Sequence, residues 1–160
     1  MADEQALFKA YGQLWSVSWC GVDEEPAGTP HGSTAICVTN QGDAVLVTED
    51  GEVWDLPGGR PEVGEDWRAT LDREVLEEAC ADVEDASLLG FSRGECVRGS
   101  QIGTVLVRSL WRASVRLLPW EPRHEIRERR LIALDELAQV AVGGVPPWFL
   151  ERWVREARAQ

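Results

Sequence analysis

From Glu65 to Ala79 the chain runs without a glycine or proline, directly after the turn-forming stretch Leu56-Pro57-Gly58-Gly59. Such a run predicts a helix. At about 100° per residue, Val75, Leu76, Ala79 and Ala69 fall on one arc and Glu74, Glu77 and Glu78 on the opposite one, so three carboxylates share a face. Like charges at i, i+3 and i, i+4 destabilise a helix by roughly 0.2–0.5 kcal/mol per pair. Arg73, four residues before Glu77, can offset part of that repulsion. A hard divalent cation is the efficient partner for the remainder, because it binds clustered carboxylate oxygens and keeps exchangeable waters. Periodicity alone leaves two readings open, a cation site and an ordinary solvated acidic face.

The rest of the composition narrows the chemistry. The basic residues of this 160-residue chain are fifteen arginines and the single lysine Lys9. A Gly-Lys phosphate loop is therefore absent, and a Schiff-base lysine has one poor candidate. His31 and His124 lie in no nucleophile motif such as G-x-S-x-G and read as surface or structural histidines. Cys20, Cys37, Cys80 and Cys96 are scattered with no C-x-x-C pair, which suits reduced thiols in a cytoplasmic protein better than a zinc site or a disulfide framework. No basic leader and no apolar run of membrane-spanning length are present, so the expectation is a soluble, unexported protein without a membrane partner. The formal charge of −12 disfavours long nucleic acid as a partner. Charge is segregated, however. Residues 59–85 carry ten acids against three arginines, and residues 93–130 carry nine arginines against four glutamates. That asymmetry suits a site combining metal and phosphate.

No repeat or long linker interrupts the chain, which predicts one domain spanning 1–160. Within it, residues 1–32 form an N-terminal extension and loop, 33–137 a core, and 138–160 a C-terminal loop and helix. Asp3 to Tyr11 is expected to be a short helix. Trp15, Val17 and Trp19 alternate as in an edge strand, and Asp23 to Gly32 is a loop. Ser33–Thr39 and Ala44–Thr48 read as strands joined by the hairpin turn Asn40-Gln41-Gly42-Asp43. Glu52–Leu56 reads as another strand, stopped by the Pro57-Gly58-Gly59 turn. Thr104–Leu117 is a long strand with Arg108, Arg112 and Arg116 on one side and mainly apolar residues on the other. Leu131–Leu134 is β-prone and precedes a short turn at Asp135–Ala138. Pro147 opens an amphipathic helix that turns Phe149, Leu150, Trp153, Val154 and Ala157 inward. Strands broken by two helices predict an α/β sandwich with a mixed sheet.

Gly59, Glu65, Arg73, Glu74, Glu77 and Glu78 read as G-x5-E-x7-R-E-U-x-E-E, with Val75 at the apolar position U. This spacing closely resembles the Nudix box, here residues 59–81. The flanks agree, from Leu56-Pro57-Gly58-Gly59 before it to His124-Glu125-Ile126 and Leu134-Asp135-Glu136-Leu137 after it. The resemblance implies a Nudix-type α/β/α sandwich and hydrolysis of a nucleoside diphosphate linked to another group, with Mg2+, or Mn2+ as substitute, held by the box. It casts Glu74, Glu77 and Glu78 as metal-binding and base-forming carboxylates and Arg73 as the residue that orients them. The same resemblance implies that Gly58 and Gly59 form a side-chain-free loop through which backbone oxygen, that of Gly59, approaches the metal, and that Glu65 either supports the ligands from behind or starts the helix. Two positions depart from the pattern: Cys80 stands where the box has glycine, and Ala81 is a small occupant of the next apolar position. Cys96, fifteen residues past the box, replaces a proline common in ADP-ribose-type members. Tyr11 is the only tyrosine, so the dinucleoside-polyphosphate signature is absent as well.

Outside the box, either Glu125 or Glu128 is a candidate for the distal carboxylate of the metal site. Arg108 and Arg112 are candidates for binding substrate phosphate, against the plainer alternative of a solvated face. Trp54, Trp67, Trp111 and Trp120 can stack on a base, although most of eight tryptophans must serve packing. The sequence is thus identified as a Mg2+-dependent pyrophosphohydrolase of the Nudix type, acting on a small nucleoside diphosphate derivative and compatible with a homodimer. Its rivals are a catalytically silent nucleotide sensor of the same fold and a metal-dependent isoprenoid-type isomerase.

Overall fold

A computed structural model describes residues 5–122 and 125–160. The strands are β1 (Gln5–Ala10), β2 (Gln13–Cys20), β3 (Thr29–Val38), β4 (Asp43–Thr48), β5 (Gly58–Gly59), β6 (Ala81–Arg98), β7 (Val105–Leu117) and β8 (Glu128–Ala133). The helices are α1 (Trp67–Ala79) and α2 (Pro147–Arg158), with a 3₁₀ turn at Leu134–Gln139. One eight-stranded sheet runs β1-β2-β6-β7-β3-β4-β8, and β5 pairs β3 off this path. The β3–β7 pair is parallel and the other pairs are antiparallel, so the sheet is mixed.

Both faces of the sheet are covered, which gives the expected α/β/α sandwich. Alternation along β3 divides its side chains between the two faces. Ile36 and Val38 join Leu110, Phe149, Leu150, Trp153 and Val154 under α2. Ala35 and Cys37 join Leu71, Val75, Ala79, Ala113 and Val115 under α1. The five inward residues expected of α2 are all buried. Among the described residues no helix is long and apolar enough to cross a membrane.

Five local expectations are corrected. The Asp3–Tyr11 helix is instead strand β1 over its described part, with exposure alternating residue by residue. The register Ala10↔Gln13 leaves a two-residue loop, Tyr11-Gly12, with φ of 52° and 74°. Positive φ at both positions is the hairpin geometry that matches strand twist. β2 consequently lies inside the sheet, between β1 and β6, and not at its edge. β3 begins at Thr29, so the loop before it ends earlier than expected. Glu52–Leu56 contributes only the bridge Val47↔Asp55. There the Asp50 carboxylate accepts the N–H groups of Glu52 and Val53 at 2.8 and 2.9 Å, taking donors that a strand ladder would need. Gly58–Gly59 is itself the short strand β5 against Ser33 and Thr34. β6, eighteen residues with two register shifts, had no counterpart in the sequence reading.

Candidate active site

Helix α1 starts where Asp66 caps it, accepting the Ala69 N–H at 2.8 Å. Its buried residues are Thr70, Leu71, Val75 and Ala79, while Leu76 and Ala69 are exposed. The inward arc is therefore rotated from the expected one. At 100° per residue Glu78 falls close to Leu71, near the middle of the buried face, and Glu74 falls between Thr70 and Leu71. Carboxylates and core residues are interleaved on one side of the helix.

Each carboxylate has its own environment. One Glu78 oxygen, Oε1, accepts the Gly58 N–H at 2.9 Å. Burial pushes the Glu78 carboxyl up to about 7, the Gly58 bond opposes this, and the nearby charges of Glu74, Asp55 and Glu49 add to the rise. Glu74 rests against Gly59, where any Cβ would collide with its carboxylate. A Cβ on Gly58 would meet Ser33 and Thr34. Both glycines are thus required by close approach.

Arg73 gathers the acids. It donates to Glu65 through Nε at 2.7 Å and Nη2 at 2.9 Å, to Glu74 and Glu77 through Nη1 at 2.8 and 3.3 Å, and to the Arg60 carbonyl at 2.9 Å. The Arg73 bonds, with the Glu62 N–H, hold the Glu65 carboxyl down to about 2. Glu65 also receives the Thr70 hydroxyl and so sits behind Arg73 as the anchor of the network.

Glu74, Glu77 and Glu78 line a cleft of about 350 Å³ together with Glu49, Glu125 and Ile126. Glu49, just past the end of β4, belongs to no motif and was missed in the sequence. Glu125 faces the box carboxylates, whereas Glu128 borders a separate cleft of about 460 Å³ with Trp54, Trp120, Arg129 and Arg130. Among the described residues, the lining of the first cleft supplies carboxylate oxygens, the donors that hard divalent cations take. Among the described residues no three such side chains stand close enough together to cage an ion as they are, and Arg73 pairs with Glu74 at 2.8 Å and with Glu77 at 3.3 Å.

Of the arginines on β7, Arg108 adjoins this site. Its Nη1 donates to Thr34 Oγ1 at 2.8 Å, and a Cβ on Gly32 would strike both that Nη1 and the Gly59 carbonyl. Arg112 lies roughly 13 Å further along the strand, donating to Ser114, with its buried Nε unpartnered. Arg116 is exposed and paired with Asp82 at 2.6 Å. His31 is the residue inserted at the β3 bulge between Pro30 and Gly32. Burial, then Arg108 and Arg60, lower it to about 4 and keep it neutral. His124 lies outside the described residues. Trp111 is core, donating to Ser109, and Trp67 packs on Phe91. Trp54 and Trp120 border the second cleft beneath the guanidinium groups of Arg130 and Arg129.

The model of the NUDIX domain family matches residues 29–150. The chain belongs to the Nudix family. No curated protein matches the sequence. Among solved structures, the pyrophosphohydrolase BsRppH of Bacillus subtilis, in a mutant form, is similar at 22% identity and TM-score 0.72, over 96% of each chain. A NUDIX hydrolase from Nitrosomonas europaea is 22% identical with TM-score 0.64, over 83% of this chain and 90% of that one. An ADP-ribose pyrophosphatase from Streptococcus suis is 18% identical with TM-score 0.57, over 81% and 93%. At these identities the likeness is one of fold. Proteins of this family generally use divalent metals.

Proposed function

We propose that this Nudix protein hydrolyses the pyrophosphate linkage of a nucleoside diphosphate joined to a second group, with Mg2+, or Mn2+ in its place, held by Glu74, Glu77, Glu78, Glu125 and the Gly59 carbonyl. The observation that carries the reading is the gathering of five glutamates in one cleft. A polyanionic substrate cannot approach such a cleft without an intervening cation. When bound, the metal neutralises phosphate charge and acidifies water.

The protein's own groups do the rest. Arg73 holds Glu74 and Glu77 in place, and Gly58 fixes one oxygen of Glu78, leaving the other to serve the cleft. A carboxylate of this set takes the proton from water as the water oxygen attacks one phosphorus in line, and the bridging P–O bond of the anhydride breaks, the second phosphate leaving with the electron pair. Arg108, on the far side of the Gly58–Gly59 strand, receives a substrate phosphate, with Arg60 adding to the cationic surroundings and the neutral His31 beside them. Arg112 is left out because of its distance along β7. Cysteines scattered through the chain without a C-x-x-C pair fit a cytoplasmic setting.

Neither rival reading gains support. A silent sensor has no need of the full carboxylate set, and the cleft lining offers an isomerase no cysteine. The test is a panel of nucleoside diphosphate derivatives, assayed for released products with Mg2+, with Mn2+ and with chelator. Metal-dependent cleavage of the anhydride is expected. No turnover of any member, or turnover undiminished by chelator, would refute the proposal. On a cleaved substrate, Glu125→Gln should be strongly impaired and Glu128→Gln nearly normal.

A further inference from the structure

Helix α1 ends in an electrostatically poor way. Its last turn contains Glu77 and Glu78 and no basic residue, so two acids sit at the negative end of the helix dipole. The terminal carbonyls also need donors from outside the helix. Cys80, the C-cap, is left-handed at φ 48°, a conformation ordinarily left to glycine.

A single side chain from β8, fifty residues away, meets these needs. Arg129 Nη1 donates to the carbonyls of Ala79 at 2.9 Å and Cys80 at 3.1 Å. The same nitrogen reaches the carbonyl of Leu118, just past β7, at 3.1 Å. Two protons serve three acceptors, so the bonds are shared. The guanidinium lies over Trp120, 5.3 Å from the ring centroid. Leu118 N–H donates to the Cys80 carbonyl at 2.8 Å, and the Cys80 thiol donates to the Glu121 carbonyl at 3.2 Å. On β8, Arg129 stands opposite Val47 of β4 and is half-buried, whereas Arg127, Glu128 and Arg130 are exposed.

The two chain segments joined at this point are those that line the carboxylate cleft. Glu78 immediately precedes Ala79, whose carbonyl Arg129 holds, and Glu125 and Ile126 lie just ahead of Arg129. We propose that Arg129 is a positioning residue of the active site: its guanidinium clamps the carboxylate-bearing end of α1 to the end of β7 and to β8, and so sets Glu77 and Glu78 against Glu125. The proposal rests on the hydrolase reading for the role of those carboxylates and on the clamp geometry for the role of Arg129.

Arg130 supplies the control, since it also stacks on an indole, Trp54 at 5.6 Å, but from a position with no helix end to hold. The full chain is compared as wild type, Arg129→Gln, Arg129→Lys and Arg130→Gln, well below each melting temperature. Arg129→Gln should lower kcat and raise the Mg2+ concentration for half-maximal thermal stabilisation, each by about 10-fold, with KM changed far less. Arg129→Lys, which keeps the charge but not the planar fork, should recover part of both losses, and Arg130→Gln should match wild type. In metal-free protein, the amides of Leu118 and of the last turn of α1 should exchange hydrogen faster in Arg129→Gln and not in Arg130→Gln. That measurement stands even if no substrate is cleaved. A lower melting temperature for Arg129→Gln with unchanged kcat and Mg2+ midpoint would reduce the residue to an ordinary helix cap. Unchanged exchange would remove the clamp altogether. Should Arg129→Gln fail to fold, the same readouts on Arg129→Lys decide, and values equal to wild type in all of them would overturn the proposal.

Discussion

Helices α1 and α2 cover opposite faces of one sheet with almost the same number of residues, 13 and 12, yet they meet it differently. α2 presents an unbroken apolar stripe whose Trp153 also donates from its indole N–H to the Trp111 carbonyl at 3.1 Å. α1 buries Thr70, Leu71, Val75 and Ala79 and sets Glu74 and Glu78 among them. The difference lies in what each buried face is for. One face only has to exclude water, whereas the other gives up apolar contact to hold charge beside the Gly58–Gly59 strand. The acids on α1 are tolerated because Arg73 and the Gly58 N–H bind their carboxylates, while Arg129 brings a positive charge to the carbonyls at the helix end.

The comparison can be broken most directly by exchanging effects between the helices. Trp153→Ala should cost about 3–5 kcal/mol of stability and leave kcat unchanged in protein that remains folded. Glu77→Gln and Glu78→Gln should each lower kcat by at least about 10²-fold, with little change in KM and no comparable loss of stability. Chemical denaturation and steady-state kinetics on the three variants suffice. A kinetic defect in Trp153→Ala, or near-normal turnover in both glutamine variants, would erase the distinction.

Next in size is the response to metal. Crowded carboxylates should make α1 the cation-sensitive side, so millimolar Mg2+ should raise the melting temperature of the wild type by linkage. Glu78→Gln should lose most of that gain, and Trp153→Ala should keep it. Equal stabilisation of wild type and Glu78→Gln would move the cation elsewhere.

A smaller effect concerns acid. Glu65 titrates near 2 in the fold because of Arg73, against an ordinary value of 4.5. An acid held down in this way binds its proton less readily folded than unfolded. Its stabilisation is therefore complete above about 4.5 and is lost as the pH falls toward 2. The melting temperature of wild type should exceed that of Glu65→Gln at neutral pH, and the gap should close across that window. A constant gap would mean that the carboxylate charge is not what anchors Arg73.

The smallest change is expected at Cys80. Glycine would relieve the left-handed backbone but lose a buried thiol and its bond to the Glu121 carbonyl. The two effects oppose each other, so Cys80→Gly should shift stability by no more than about 1 kcal/mol either way and preserve kcat. A large kinetic loss at unchanged stability would reveal a role for the thiol.

What the sequence announced and what it concealed divide along the range of the interactions involved. The box helix, the β3–β4 hairpin, β7 and the stripe of α2 rest on periodicity and turn chemistry within a few residues. The β1 strand was misread because a six-residue segment whose exposed face carries Leu7 between Gln5 and Lys9 shows no clean polar alternation, and it settles only when β2 pairs with it. Glu52–Leu56 had strand composition, but the Asp50 side chain took its donors. The rotation of α1 was hidden because its wheel was drawn from apolar residues alone, which seated Leu76 inside and Glu78 outside. Glu49 and Arg129 carried no local signal, since one joins the cleft across the fold and the other reaches α1 from β8.

The parallel pairing of β3 and β7 also governs how the chain can assemble. Ser33 and Ser109 stand opposite each other with their hydroxyls 2.7 Å apart, although 76 residues separate them in sequence. The β1–β2 and β3–β4 hairpins close over only a few residues, whereas this contact requires a long loop to close, at an entropic cost that grows with the logarithm of its length. Contacts of such separation slow folding. The Gly58–Gly59 strand pairs with β3 at Ser33 itself, and Ser33 donates to the Trp67 carbonyl at the start of α1. The hairpins can therefore form early and independently, while the Gly58–Gly59 strand and the start of α1 take their final seats only after the two distant halves of the sheet have met.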